Sequence, residues 1–313
     1  MTDTFLGQVF RRVAAIALAV AAAAGLPTLP EDKVEEPTEQ QVRSQLADKA
    51  EASVGDGGRS PSGGQDEALG GRGSIGRDVS WPNCPKGMGI PSRRALGLPM
   101  PPAGSNYVII GLTNGPAFYP NPCLDEQVAY ARELHLWTAA YAVVTYPTPR
   151  QLRTYGDAGP HASSTRQGQL RNTGWAQTQM NIANMRAAGL EPPIVWVDVE
   201  PVRPPAPWSG DVAANRAVLE GAMRAYRAAD LRVGVYSTTY LWQNIVGAVS
   251  YRLPEWRAAG PTTKQRALYM CTHSSIQGSD AVLAQWSSVD VDYNVLCPGR
   301  PAIDVLREYF TLL

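Results

Sequence analysis

Two carboxylates, Asp198 and Glu200, stand two residues apart at the end of the run Pro193–Pro201. Ile194, Val195, Val197 and Val199 make that run apolar and β-branched, as a parallel strand covered on both faces requires. On a strand, a spacing of two sends both acidic side chains to one face. Pro201 stops the strand just beyond them. Unpaired charge in such surroundings costs several kcal/mol. Crowded like charges raise the pKa of one member, so one acid can donate a proton while the other stabilises positive charge. The alternative is structural: one acid caps a loop and the other joins a salt bridge.

Asp78 and Asp292 are the further candidates, with Asp290 competing for the place of Asp292. Paired carboxylates without a metal-ligand cluster point to glycoside hydrolysis, which needs one protonated acid and one carboxylate facing an oxocarbenium-like centre. Trp81, Tyr141, Tyr146, Tyr236, Trp256, Trp286 and Tyr293 fall near the same strand ends. Taken singly each reads as core; taken together they suit a groove on which sugar rings stack.

The elements that must hold these residues begin at Ile75. Strands are read over Ile75–Trp81, Asn106–Thr113, Thr138–Tyr146, the Asp198 run and Arg232–Ser237. Helices are expected from Pro122, with Leu124, Val128, Ala131 and His135 on one face, over Trp175–Ala188, and around Val218–Ala229. Thr148–Thr173 reads as a polar loop, and Pro201–Trp208 as a Pro-rich one. Beyond Tyr236 the helical signal fades. Leu253–Ala258, Ala267–Cys271 and Ala281–Trp286 look strand-like, and Ile303–Leu312 reads as a closing helix. Strand-helix alternation predicts a parallel sheet, and about eight strands suit a closed barrel. The fold class expected is therefore α/β, an irregular TIM-type barrel of five strand-helix units followed by three strands with little helix. An open doubly wound sheet is the alternative, but no GxGxxG or P-loop supports it.

Residues 1–28 combine Arg11-Arg12 with the apolar Val13–Leu26, the pattern of a signal peptide or, uncleaved, a membrane anchor. Residues 29–74 are rich in Glu, Gln, Ser, Gly and Pro and read as a disordered linker. The barrel domain is placed at 75–313. The expected location is secreted or cell-wall associated. Lys and Arg together number 28, as do Asp and Glu, so nothing suggests the basic surface that a nucleic-acid partner needs. Cys84, Cys123, Cys271 and Cys297 form no close pair and His135, His161 and His273 are scattered, which argues against a zinc site. With an export signal, four cysteines favour disulfides. Pairing Cys84–Cys123 and Cys271–Cys297 would join loops near adjacent strands at the two ends of the domain. No metal or cofactor is expected, and the chain is expected to be a monomer.

In order along the chain, Asp78-Val79-Ser80, Thr113-Asn114-Gly115, Tyr141, Asp198-Val199-Glu200, Gly234–Ser237, Leu253-Pro254-Glu255-Trp256, Gln285-Trp286 and Asp292-Tyr293-Asn294 resemble the motifs of the glycoside hydrolase family 25 lysozymes. Extended to Gly76–Cys84, the first motif resembles an actinobacterial secreted branch. The resemblance implies hydrolysis of the β-1,4 bond between N-acetylmuramic acid and N-acetylglucosamine in peptidoglycan. It implies Glu200 as general acid, Asp198 as stabiliser of the charged centre or orienter of the 2-acetamido group, and Asp78 and Asp292 as the rest of an acidic floor. Trp81, Tyr141, Tyr236, Trp256, Gln285, Trp286 and Asn294 are the expected substrate contacts. Two positions depart from the pattern: Asn114 stands where Glu is usual, and Tyr141 is followed by Ala142 rather than forming an aromatic-His pair. A chitinase-like reading fails, because Trp196 and Pro193 occupy positions where it needs acids. The alternatives to a muramidase are a non-catalytic wall-binding module on the same barrel and a hydrolase of another wall glycan.

Overall fold

A computed structural model describes residues 75–202 and 208–313. The signal or anchor segment, the linker and most of the loop after Pro201 lie outside the described residues. Eight strands close into a barrel, in the order β1 Ile75–Val79, β2 Tyr107–Gly111, β3 Trp137–Val143, β4 Ile194–Asp198, β5 Arg232–Ser237, β6 Glu255–Pro261, β7 Ala281–Ser288 and β8 Val291–Leu296. Neighbours from β1 through β7 pair parallel. β8 is antiparallel to both β7 and β1, because a tight turn with Asp290 at φ 60° replaces a crossover helix. A short β9, Thr311–Leu312, pairs with the first residues of β3.

The alternation of side chains along each strand divides the core in two. On β4, Val195 and Val197 face outward to the helices, while Ile194 and Trp196 fill the barrel interior. Trp196, Tyr236, Trp256 and Tyr107 are among the interior aromatics. Gly234 makes room for one of them, since a Cβ there would overlap the Trp196 ring. At the N-terminal mouth, Phe310 meets Tyr107 edge-on at 5.0 Å and Tyr309 stacks on Trp196 at 6.1 Å. The last helix thus closes the end of the barrel opposite the acids.

The helices are α1 Leu124–Glu133, α2 Pro149–Tyr155, α3 Arg166–Ala187, α4 Val212–Ala228, α5 Thr239–Val246, α6 Lys264–Met270 and α7 Ala302–Tyr309. Several differ from the sequence reading. α1 starts after Cys123, so Pro122 precedes it. His135 lies past its end at φ 51° and is exposed, off the buried face. The supposed loop Thr148–Thr173 contains α2 and the first turns of α3. Thr148 and Gln151 form a capping box around Pro149, and Thr165 accepts from the Gly168 N–H. These turns have no apolar stripe because Asn172, Thr173, Gln177 and Asn181 fill much of the buried face of α3. Ala267–Cys271 is helical, not strand-like, with Thr263 as its cap. α5 likewise lies where the helical signal had faded, capped by Thr238.

Both disulfides form as expected, Cys84–Cys123 and Cys271–Cys297. Among the described residues, no helix is long and apolar enough to cross a membrane.

Candidate active site

The C-terminal ends of the parallel strands open into a groove of about 470 Å³, with Asp78, Asp198, Glu200 and Asp292 among its walls. Asp78 arrives from β1 and Asp198 from the last residue of β4. Glu200 follows in the bend after the strand. Its flanks are tied down: the Val199 carbonyl accepts from the Ser237 hydroxyl at 2.7 Å, and the Glu200 carbonyl from Trp208 Nε1 at 2.9 Å. Asp292 comes from the second residue of β8. Only the reversed direction of β8 brings the start of a strand to this end of the barrel.

Asp78 is firmly held. Gln285 Nε2 donates to its two oxygens at 3.0 and 3.1 Å, and Asn294 Nδ2 donates to it at 2.6 Å. Each amide is oriented in turn. Tyr236 OH donates to Gln285 Oε1 at 2.6 Å, and Trp256 Nε1 donates to Asn294 Oδ1 at 2.7 Å. Burial still raises the Asp78 pKa against these donors. Asp198 is buried with Oδ1 lacking a hydrogen-bond partner. Burial, then Glu200 and Asp78, push its carboxyl well above the usual range.

Glu200 is half-buried; burial and Asp78 raise its pKa to about 7, with Arg93 pulling the other way. Asp292 is raised by burial, Asp78 and Glu200 against Arg77. It keeps an exposed edge, so water screens it more than the enclosed Asp198. The four acids influence one another and titrate as a set. Near neutral pH such a set retains protons, and with Glu200 near 7 it can both donate a proton and present negative charge. Burial and the acids push the phenols of Tyr141 and Tyr236 well above their usual pKa, so both remain hydrogen-bond donors.

Of the expected substrate contacts, Tyr141, Tyr236, Trp256 and Gln285 line the groove. Trp256 is almost fully buried, wedged between Tyr236 at 4.5 Å and Tyr141 at 5.7 Å. Asn294 is fully buried, with both polar atoms engaged, and so supports Asp78 from beneath. Trp286 follows Gln285 on β7 and therefore faces the other way; it stacks on Tyr293 within the cluster under α6. Trp81 lies just past β1, half-buried under the Arg93 guanidinium. Asn114, at the unusual position, is buried in a loop contact: Oδ1 accepts from the Ile90 N–H at 2.7 Å and Nδ2 donates to the Arg93 carbonyl at 3.2 Å.

Sequence reasoning missed the rim formed by Thr238 and Ala258–Gly260, which carries no chemical signature. Among the described residues, no group of His, Cys, Asp and Glu is arranged to hold a metal ion.

Residues 164–261 match the family described as lysozyme-like protein 1. Lysozyme-like protein 5 of Caenorhabditis elegans is 35% identical over 71 residues, covering 23% of this chain and 31% of that protein. The chain thus spans less than a third of the length of that relative. Among solved structures, the bacterial lysozyme of Streptomyces coelicolor aligns with TM-score 0.47 and 16% identity, covering 76% of this chain and 97% of the other. The muramidase of Acremonium alcalophilum aligns with TM-score 0.46 and 15% identity, covering 75% and 98%.

Proposed function

We propose that this barrel is a lysozyme-type glycoside hydrolase whose substrate is peptidoglycan. The observation that carries the reading is the placement of Asp198 and Glu200 in one groove with Asp78 and Asp292, where burial and crowding keep carboxyls protonated toward neutral pH. The matches to lysozyme-like proteins over residues 164–261 and over 71 residues support the substrate class.

In this reading Glu200, at the accessible edge, gives its proton to the leaving glycosidic oxygen. Its pKa near 7 suits a general acid. Asp198, deeper on the same side of β4, stabilises the oxocarbenium-like centre or orients the 2-acetamido group. Asp78 and Asp292 complete the acidic floor. Tyr141 offers its hydroxyl to the substrate, while Tyr236 stays engaged with Gln285 and Trp256 packs as the wall between the two tyrosines. The finer proposal is that the bond cleaved is the β-1,4 link between N-acetylmuramic acid and N-acetylglucosamine. The apolar N-terminal run and two disulfides support export to the cell wall or beyond.

The test is muropeptide analysis after incubating the full chain with insoluble peptidoglycan. New reducing N-acetylmuramic ends are the expected product. New reducing N-acetylglucosamine ends would move the cleaved bond. Binding without release of reducing ends would overturn the hydrolase reading.

A further inference from the structure

We infer that Trp208 and Ser237 are a pair of positioning residues for Glu200: they hold the carbonyls on either side of its Cα and so fix the direction in which its side chain leaves the backbone. The inference rests on the reading of Glu200 as proton donor. Its basis is where Glu200 stands. The regular strand β4 ends at Asp198, two residues earlier. The β4–β5 ladder adds one further bond, from the Val199 N–H to the Tyr236 carbonyl at 3.0 Å. Glu200 lies past it, in the bend.

A peptide unit is planar, so holding its carbonyl holds the whole unit. The Ser237 hydroxyl donates to the Val199 carbonyl at 2.7 Å, which fixes the unit before Glu200. Trp208 Nε1 donates to the Glu200 carbonyl at 2.9 Å, which fixes the unit after it. With both units held, φ and ψ of Glu200 are set, and with them the Cα–Cβ bond. Pro201 narrows ψ further, since the residue before a proline is kept out of the helical region. Only the rotamers of the side chain itself remain free.

The two donors are seated on separate frameworks. Ser237 is the buried last residue of β5. Trp208 packs against the outer core, and its neighbour Ser209 is fixed by the fully buried Asn215 of α4. Asn215 Oδ1 accepts from the Ser209 N–H at 3.0 Å, and its Nδ2 donates to the Ser209 and Ile245 carbonyls, each at 2.8 Å. The consequence is chemical. Glu200 has an exposed edge, and a loosely held carboxyl there turns to water and gives up its proton. Clamped in the groove wall, it stays where burial and Asp78 raise its pKa. Neither an indole nor a serine hydroxyl titrates in the working range, so either can move a pH profile only through an acid.

The test uses the full chain with two readouts: an NMR titration of the Glu200 side-chain carboxyl, and kcat and KM on peptidoglycan as functions of pH. Trp208→Phe keeps an aromatic ring and removes the N–H; Ser237→Ala removes the hydroxyl. Each is expected to lower kcat by about tenfold, short of the roughly hundredfold that a misplacement of about 1 Å can cost, with KM changed by less than about twofold. Each should also lower the Glu200 titration by about one pH unit, a tenfold change in proton affinity, and draw the alkaline limb of the profile down with it. Ser237→Thr keeps the hydroxyl and should titrate as wild type. In a Glu200→Gln background neither Trp208→Phe nor Ser237→Ala should slow the residual turnover further, since both act through the acid. Folded variants with a wild-type titration and kcat overturn the inference, as does a further loss in the Gln background or a Thr variant that shifts as far as Ser237→Ala. If Trp208→Phe does not fold, Ser237→Ala decides by the same outcomes. A wild-type chain that releases no muropeptides, while the variants still shift the Glu200 titration, would sink the hydrolase reading and leave the positioning of Glu200 standing.

Discussion

Asp198 and Glu255 are both buried acids on neighbouring parts of one barrel, two strands apart, and their surroundings are opposite. Glu255 receives Arg257 Nε at 2.7 Å, the Ser275 hydroxyl at 2.9 and 3.1 Å, and the backbone N–H groups of Ile276, Gln277 and Ser279 at 2.8–3.1 Å. Arg257 is itself saturated by the carbonyls of Met270, Cys271, His273 and Ser279. The whole assembly organises the 271–279 loop, whose first residue the second disulfide ties to Cys297. Asp198 has an oxygen with no donor at all. A buried acid surrounded by donors is a structural anchor. One left short of donors and crowded by acids holds a proton and can exchange it.

The largest expected effect breaks the structural side of this contrast. Glu255→Ala leaves Arg257 and three backbone donors without their acceptor. Removing one partner of a buried pair costs about 3–5 kcal/mol, read by urea denaturation. A loss under about 1 kcal/mol, the range of an exposed pair, would show that the loop stands without it.

Next comes the reactive side. Glu200→Gln should lower turnover by about 100-fold, within the range for a general acid, with the melting temperature little changed. Undiminished release of reducing ends would remove Glu200 from the chemistry.

Asp198→Asn sharpens the contrast through pH. The folded-state pKa of Asp198 lies above its unfolded value of about 3.9. Between those two values the native state binds the extra proton, so stability falls as pH rises through that window. Asn removes this contribution. The variant should melt higher than wild type at pH 8, by about 1–3 kcal/mol of stability, and close to wild type near pH 4. Equal melting differences at both pH values would contradict a protonated native Asp198. Activity should be lost in the same variant, separating stability from function.

The smallest effect tests how Asp78 is held. Tyr236→Phe deletes the donor to Gln285 Oε1 and should cost about 1 kcal/mol. The expected signature is a shifted pH profile with little change in fold. An unchanged profile would show that Gln285 needs no help in orienting Asp78.

Much of this contrast was legible in the chain. The β4 run and its two acids stood out because a buried strand needs consecutive apolar residues and two carboxylates break that rule visibly. The alternation of elements up to β5 was readable for the same reason. α2 and the start of α3 were not, since their signals are local caps and a buried face made of polar side chains. α6 was misread because a seven-residue helix with only Ala267 buried has no stripe to display. Trp286 and Asn294 were named for their types and motif positions. One-residue alternation on β7, and the engagement of both amide atoms at Asn294, place the first under α6 and the second beneath Asp78.

What the sequence by itself determined is which residues could be reactive and that strands would carry them, because hydrophobic period and acid spacing are local properties. Which acid is anchored by donors and which is left short of them was decided by tertiary structure. The donors to Asp78 lie 207 and 216 residues away along the chain, and those to Glu255 come from a loop about twenty residues on. Asp292 reaches the groove only because β8 runs backwards. Hydrogen-bond supply and strand direction are set by closure of the barrel, and closure joins the first strand to the last.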